Sequence, residues 1–461
     1  MSRIAVVTTD VVGTRMAGPA IRAWHVAAAL SREHDVRLAS TTSCSLSDDR
    51  FTTETATTSD AVRHLEQWCD VFIFQGTVLD GFPFLGGSAK VMVVDVYDPM
   101  HLEQLEQTRD TDSESRERIV RHAVVVLNDQ LLRGDFFMCA SAKQRALWLG
   151  HLSALGRVNP ATYDEDGSLG SRLAVVPFGL QETRPSPSAP AVKGVIPGIG
   201  PHDDLLLWGG GIYNWFDPLT LIRAMNTLRS RWPTARLLFM GVQHPNVPTM
   251  RMALDARRLS DELGLTGSHV FFNEGWVPYD RRHDYLLEAD VGVSTHLDHL
   301  ETEFSFRTRI LDYLWAGLPI VTTQGDSFAE LVEQRQLGLT VPAQDVEALA
   351  AALLRILGDA DLRTTCRKHV EEVAPDFAWD KVLEPLLTFC RNPSVAPDRT
   401  DDAIALALER SRSALAAPRG WRRDMTITID HFRRGGVRQV VRKAASRVGH
   451  TLRSLAGRPP R

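Results

Sequence analysis

Arg309 and Asp312 are the residues whose types and spacing point most directly to chemistry. Three apart in a segment of helical periodicity, they fall on one helix face. The segment runs from Phe304 to Asp326. Ile310, Leu311, Leu314 and Trp315 form its apolar stripe. Ser305 is a candidate N-cap, Gly317 ends the helix and Pro319 forbids its continuation. Pro319 to Thr323 then reads as a short buried strand and Gly325-Asp326 as a turn. A guanidinium near a helix N-terminus suits phosphate, because the terminus favours anions and the planar cation binds bidentately. A carboxylate beside it accepts two ribose hydroxyls. The pair therefore suits a nucleoside diphosphate. An ordinary i,i+3 surface ion pair accounts for the same spacing.

A second candidate lies upstream. Asp204 to Trp208 is a strand, followed by Gly209-Gly210-Gly211 and by a helix that Asp217 caps and Pro218 begins. Three glycines between strand and helix allow a phosphate close to the backbone. A purely structural glycine turn remains the alternative. At the N-terminus, the strand 3–9 and the helix 20–30 flank a Gly-containing loop without G-x-G-x-x-G, which argues against a dinucleotide dehydrogenase. Asp98 and His101 follow a strand end, where ligands of parallel sheets collect. They suit a sugar acceptor, or equally a capped turn. His296, Asp298 and His299 lack a spaced fourth partner, so no metal is expected. Asp110-Thr111-Asp112 sits in a Ser/Glu/Arg-rich loop and reads as solvated.

The segment Arg309-Ile-Leu-Asp312-Tyr313-Leu-Trp315-Ala-Gly317-Leu-Pro319 resembles the end of a Glu-rich motif, K-x-x-E-Y-x-A-x-G-x-P, of retaining glycosyltransferases of the GT-B fold, family 4. The resemblance covers about residues 1–390. It implies an α/β chain of two Rossmann-like domains facing across a cleft, without metal in the chemistry or another cofactor. It implies Arg309 at the donor diphosphate and Asp312 at the ribose. Gly209, Gly210, Gly211 and Asn214 then lie in the loop under the diphosphate, Ser305 in the donor motif, and Trp276 and Val277 beside the base. The loop ending at Gly18, with Arg22, falls at the cleft facing phosphate or acceptor. One position departs from the family. The Glu expected eight residues before the ribose carboxylate is Phe304 here, with Glu301 and Glu303 as substitutes.

The elements that must position these residues are strands alternating with helices, the signature of parallel sheets covered on both faces. Strands are expected at 35–40, 71–75, 91–95 and 123–127, and helices at 345–357 and 377–390. The domains divide as 1–180, a Pro/Ser/Gly-rich linker 181–200, 201–376, a cross-over helix 377–395 and a basic tail 396–461.

Of 461 residues, five are cysteines without a C-x-x-C pair, which fits a reducing cytoplasm. The N-terminus enters a strand directly, which reads as no signal peptide, and no window reaches the ~18 apolar residues of a membrane span. The net charge of −5 conceals a tail, 410–461, of +12. There Val437, Val441, Ala444, Val448, Leu452 and Leu455 recur at helical spacing among Arg438, Arg442, Lys443, Arg447 and Arg453. That pattern suits an in-plane helix on an anionic membrane; a solvated basic tail is the alternative. Few tail aromatics and an acidic body argue against nucleic acid. The expected activity is transfer of a sugar from a nucleotide-diphosphate sugar to a glycan or lipid-linked hydroxyl acceptor with retention. It would occur in cell-surface glycan or glycolipid assembly, in the cytoplasm at the inner membrane face. A nucleotide-sugar 2-epimerase and a non-catalytic assembly protein of the same fold are the alternatives.

Overall fold

The computed structural model describes residues 1–399 except Arg15, 243–248 and Trp276, and beyond them Leu406 and Glu409. The chain forms two units, 1–411 and 412–461. The second, with the amphipathic pattern expected from Val437 to Leu455, lies outside the described residues.

The first unit holds two parallel sheets. Strands β1 (Arg3–Thr8), β2 (Asp35–Ser40), β3 (Thr52–Thr55), β4 (Val71–Gln75), β5 (Val91–Asp95), β6 (Phe136–Cys139) and β7 (Leu173–Val175) pair in the order β3-β2-β1-β4-β5-β6-β7. Strands β8 (Asp204–Trp208), β9 (Ala235–Phe239), β10 (Val270–Phe272), β11 (Val291–Ser294), β12 (Ile320–Thr323) and β13 (Gly338–Val341) pair as β10-β9-β8-β11-β12-β13. The central strands are apolar at nearly every position because helices cover both faces. Each sheet reverses its winding beside its first strand, and the carboxyl ends at those switch points open toward one another.

One expected strand is a helix. Ala123 to Leu127 lies inside the helix Ser113–Arg133. The β-branched run favours a strand locally, but burial at Ala123, Val126, Leu127, Gln130 and Leu131 follows the helical period. β3 was not foreseen; it is a half-exposed threonine-rich edge without an apolar run.

The linker composition at 181–200 conceals an anchored segment. Asp284 accepts from the amides of Ser188 and Ala189, and Glu288 from those of Ala191, Val192 and Lys193. The expected helix 377–390 is broken into a 3-10 turn Ala374–Phe377 and helices Trp379–Val382 and Glu384–Arg391, the last begun by Pro385. These pieces pack on the first domain: Phe389 stacks on Phe136 at 4.3 Å and Trp379 on His25 at 4.6 Å. The body also extends further than the expected boundary at 396. Asp398 forms a buried pair with Arg157 at 2.9 Å, and Arg399 reaches Asp135 at 3.3 Å.

The two chain crossings between the domains run side by side. The Leu180 amide donates to Phe377 O at 2.8 Å and the Trp379 amide to Leu180 O at 3.1 Å. Gly179 makes this approach possible, since a Cβ there would sit 2.8 Å from the Trp379 Cα.

Candidate active site

A cavity of about 610 Å³ lies between the domains. Its second-domain wall is the glycine turn after β8 and the start of the helix Thr308–Ala316. Its first-domain wall comes from the loop after β1, with Gly18 at the next helix, and from the segment after β5.

Arg309 is 7% exposed and sits in the first helical turn. Its guanidinium lies over Trp208 at 4.2 Å and Phe216 at 4.0 Å, and Nη2 donates to Gly211 O at 3.0 Å. Nη1 is buried without a hydrogen-bond partner, and no carboxylate pairs with the group among the described residues. Burial draws its pKa down to about 10, with Arg307 acting in the same direction. A buried cation without a counter-ion, beside a helix N-terminus, is a prepared anion site.

Tyr313, on the same helix, fixes the glycine turn. Its hydroxyl accepts from the Gly209 amide at 2.9 Å and lies 2.9 Å from Leu207 O and 2.8 Å from Val293 O. The Gly209 amide is therefore committed to the fold rather than open to a ligand. Gly210 has φ +75°, a left-handed conformation that side chains disfavour, while Gly211 lines the cavity next to Arg309.

Asp312 lines the cavity half-buried and accepts from Arg282 Nε at 3.0 Å. Arg282 is held between Tyr279 at 3.8 Å and Trp315 at 4.6 Å. This is a tertiary pair, not the i,i+3 pair with Arg309 that the spacing allowed.

Several expected residues sit elsewhere. Ser305 lines the cavity but does not cap the helix: it ends the preceding helix Leu300–Phe304, and its hydroxyl donates to Thr302 O. Arg307 occupies the N-cap position, with no side-chain cap. Glu301 is away from the cavity wall, held bidentately by Arg307 at 3.0 and 2.7 Å, and Glu303 is exposed. Neither lines the cavity. Asn214 braces the domains, donating to Gln107 O at 3.4 Å and accepting from the Met252 amide at 3.2 Å. Arg22 faces neither phosphate nor acceptor; it is fully buried on Asp95 at 2.6 Å and on the carbonyls of Val176 and Pro177. His101 lies behind the wall near Trp148, and burial lowers its pKa to about 4. Asp98, Gly18 and Val277 line the cavity, while Trp276 lies outside the described residues.

The histidines also have structural roles. His296 is buried against Thr323 and 3.3 Å from Asp326, and His299 caps the helix Leu300–Phe304. Asp326 caps the helix Ser327–Gln334 and is pushed up to about 6 by burial, against the pull of Arg307. Among the described residues no group of three His, Cys, Asp or Glu side chains is placed to hold a metal. Asp112 caps the helix Ser113–Arg133, and Asp110 makes an exposed pair with Arg251 at 3.1 Å.

Sequence reasoning missed Glu103, Arg282 and the pairing of Arg307. Arg307 grips Glu301 across a break between two helices, where periodicity carries no signal. Glu103 follows Asp98 by five residues around a turn, and the two carboxyls hydrogen-bond in the cavity wall.

Residues 203–359 match the family model of glycosyl transferases group 1. A D-inositol 3-phosphate glycosyltransferase of Corynebacterium urealyticum is 24% identical over 181 residues, 39% of this chain and 41% of that protein. The match thus spans about two fifths of that relative. The structure of WaaG, a glycosyltransferase involved in lipopolysaccharide biosynthesis, aligns with a TM-score of 0.60 and 17% identity, over 85% of this chain and 100% of that one. HepE of Anabaena, solved in complex with UDP-glucose, aligns with a TM-score of 0.56 and 11% identity, over 85% and 100%. The chain has the GT-B fold, and within its second domain residues 203–359 are similar to glycosyl transferases group 1.

Proposed function

We propose that the chain is a glycosyltransferase that moves a sugar from a nucleotide-diphosphate donor to a hydroxyl acceptor, with retention of anomeric configuration. The observation that carries this reading is Arg309, a buried cation without a carboxylate partner, at a helix N-terminus facing a cavity. Its stacking on Trp208 and Phe216 fixes the guanidinium before a ligand arrives. A pre-oriented donor of this kind stabilises leaving-group charge without reorganising during reaction. The amides of Gly210 and Gly211 add to it. Asp312, aligned by Arg282, accepts the ribose hydroxyls. The complex of HepE with UDP-glucose supports the donor class.

In the proposed step the acceptor oxygen attacks the anomeric carbon on the face the diphosphate leaves. The carbon–oxygen bond to the diphosphate breaks as the new glycosidic bond forms. The acceptor proton passes to the departing phosphate oxygen, so no protein base is required. The cleft contributes by orientation and water exclusion. Assembly of a cell-surface glycan or glycolipid at the inner membrane face is the proposed setting; the basic tail and WaaG's role in lipopolysaccharide biosynthesis support it.

A thermal-shift panel of UDP-, GDP-, ADP- and dTDP-sugars tests the donor. A true donor at ~100 times its Kd stabilises by about 2.7 kcal/mol. Acceptor-dependent nucleotide release then tests transfer. Failure of every nucleotide to stabilise the protein overturns the proposal.

A further inference from the structure

We propose that the first-domain wall of the cleft selects an uncharged, hydroxyl-rich acceptor and rejects one carrying a phosphate, with Asp10, Asp98 and Glu103 as the selecting residues. The proposal rests on the transferase reading and names its acceptor class. Charge is divided unequally across the cavity. Its described cations, Arg282, Arg307 and Arg309, all belong to the second domain. The first domain contributes Asp10, Asp98 and Glu103 and, among the described residues, no lysine or arginine. Arg22, beneath this wall, is committed to Asp95. Among the described residues none of the three acids forms an ion pair, whereas Asp312 and Glu301 across the cleft each hold an arginine.

Two carboxylate oxygens in this wall lack donors. Asp10 Oδ1 accepts from the Val11 amide at 2.8 Å, but Oδ2 is buried without a partner. Asp98 Oδ1 is likewise buried, and the one group hydrogen-bonded to its carboxylate among the described residues is the Glu103 carboxyl. Buried acceptors without donors are uncommon and costly in folded proteins. A sugar or polyol supplies O–H donors that suit them; a phosphate ester supplies acceptors and adds like charge beside Asp10 and the negative charge that Asp98 and Glu103 hold between them. The burial that pushes Asp98 up to about 6 agrees with the lack of a compensating cation among the described residues of this wall. The arginines of the opposite wall already provide for the donor's phosphates, so the two substrates are sorted by charge. This departs from the similar protein named a D-inositol 3-phosphate glycosyltransferase, whose name includes a phosphate ester.

The test uses the full chain and matched probes: myo-inositol against myo-inositol 1-phosphate, and methyl α-glucoside against glucose 6-phosphate. Binding is read by saturation-transfer NMR and calorimetry, with and without a saturating nucleoside diphosphate. The nucleotide arm reports the donor site separately, so its failure defeats the transferase reading while the paired probes still report on the wall. The expected result is that an uncharged member binds at least about tenfold more tightly than its phosphate ester. In the Asp98→Asn/Glu103→Gln variant that ratio should shrink to within about threefold, with nucleotide affinity unchanged. Asp10→Asn, distant in sequence, should shift it in the same direction. Equal or tighter binding of the phosphate esters, a ratio unmoved by these variants, or no binding of either uncharged probe would overturn the proposal.

Discussion

Replacing Arg309 by methionine should separate stability from donor binding. The guanidinium is buried without a counter-ion among the described residues, and burial lowers its pKa from the ordinary guanidinium value to about 10. Folding with the group charged at neutral pH therefore costs on the order of 3 kcal/mol, at 1.36 kcal/mol per tenfold change in proton affinity. The stacking on Trp208 and Phe216 offsets part of this, about 0.5–2 kcal/mol per ring. Methionine keeps most of the packing volume between the two rings and needs no counter-charge. The balance leaves a net change within about 2 kcal/mol of zero. With an unfolding entropy of roughly 2.1 cal/mol/K per residue, ~400 folded residues translate this to no more than about 2–3 °C in Tm. Donor binding should respond very differently. Losing a charged hydrogen-bond donor removes about 1.5–3 kcal/mol, one to two decades in Kd. A nucleoside diphosphate at ~100 times the wild-type Kd should then stabilise the variant by only about 0.4–1.4 kcal/mol, against about 2.7 for wild type. Differential scanning fluorimetry with and without ligand measures both quantities. A variant that melts many degrees lower yet keeps the full ligand shift would refute the assignment, because Arg309 would then be structural.

Asp312→Ala should weaken donor binding by about one to two decades in Kd by calorimetry, since two hydroxyl contacts are lost and Arg282 loses its partner; an unchanged Kd would exclude the ribose role. Tyr313→Phe should destabilise by about 1–3 kcal/mol in urea, because it leaves the Gly209 amide and a strand carbonyl unpaired in the core. For Asp98 the folded-state pKa is raised, so its contribution to stability is fully present below pH ~4 and is lost as pH rises through about 6. Asp98→Asn should therefore flatten the denaturation midpoint between pH 4.5 and 8, most visibly by stabilising the alkaline end; an unaltered profile would show that this carboxyl does not titrate there. The basic tail is expected to bring the chain to anionic vesicles in a salt-dependent way. Co-sedimentation of the full chain and of a truncation after Arg399 checks this, and equal recovery of the two would count against it.

How much was legible beforehand followed the range of the interactions involved. Strands 71–75 and 91–95 were marked by continuous apolar runs, strand 35–40 by apolar residues among polar ones, and Asp217-Pro218 marked a helix start that the structure keeps. Residues 123–127 misled because a local valine run outweighed the helical recurrence of burial on either side. Within the site, Arg309 and Asp312 were visible because spacing along one helix is a local property. What each one touches was not: Arg282 comes from another helix, and Tyr313 reaches two different strands. Arg22 shows the converse error, since a cation beside a glycine loop is indistinguishable in sequence from one buried on Asp95. The charge division of the cleft was invisible for a similar reason. It depends on which carboxylates lack partners, a property of the assembled walls.

The paired crossings at Leu180 and Trp379 have a mechanical consequence. Two covalent connections set far apart would tie the lobes along a plane and resist rotation. Here both pass through one hydrogen-bonded bridge, which acts as a hinge pin. An opening or closing of the cleft would then reduce to rotation about a line near Gly179, where a small angle sweeps the far lips of the cleft through a long arc. Ties between the lobes include Gln144 to Phe304 O at 2.8 Å and Lys143 to Glu330 at 2.7 Å. A side chain at position 179 would wedge the bridge apart on the Trp379 ring. It would hold the two walls out of register while leaving Arg309, Asp312 and Asp98 themselves unchanged.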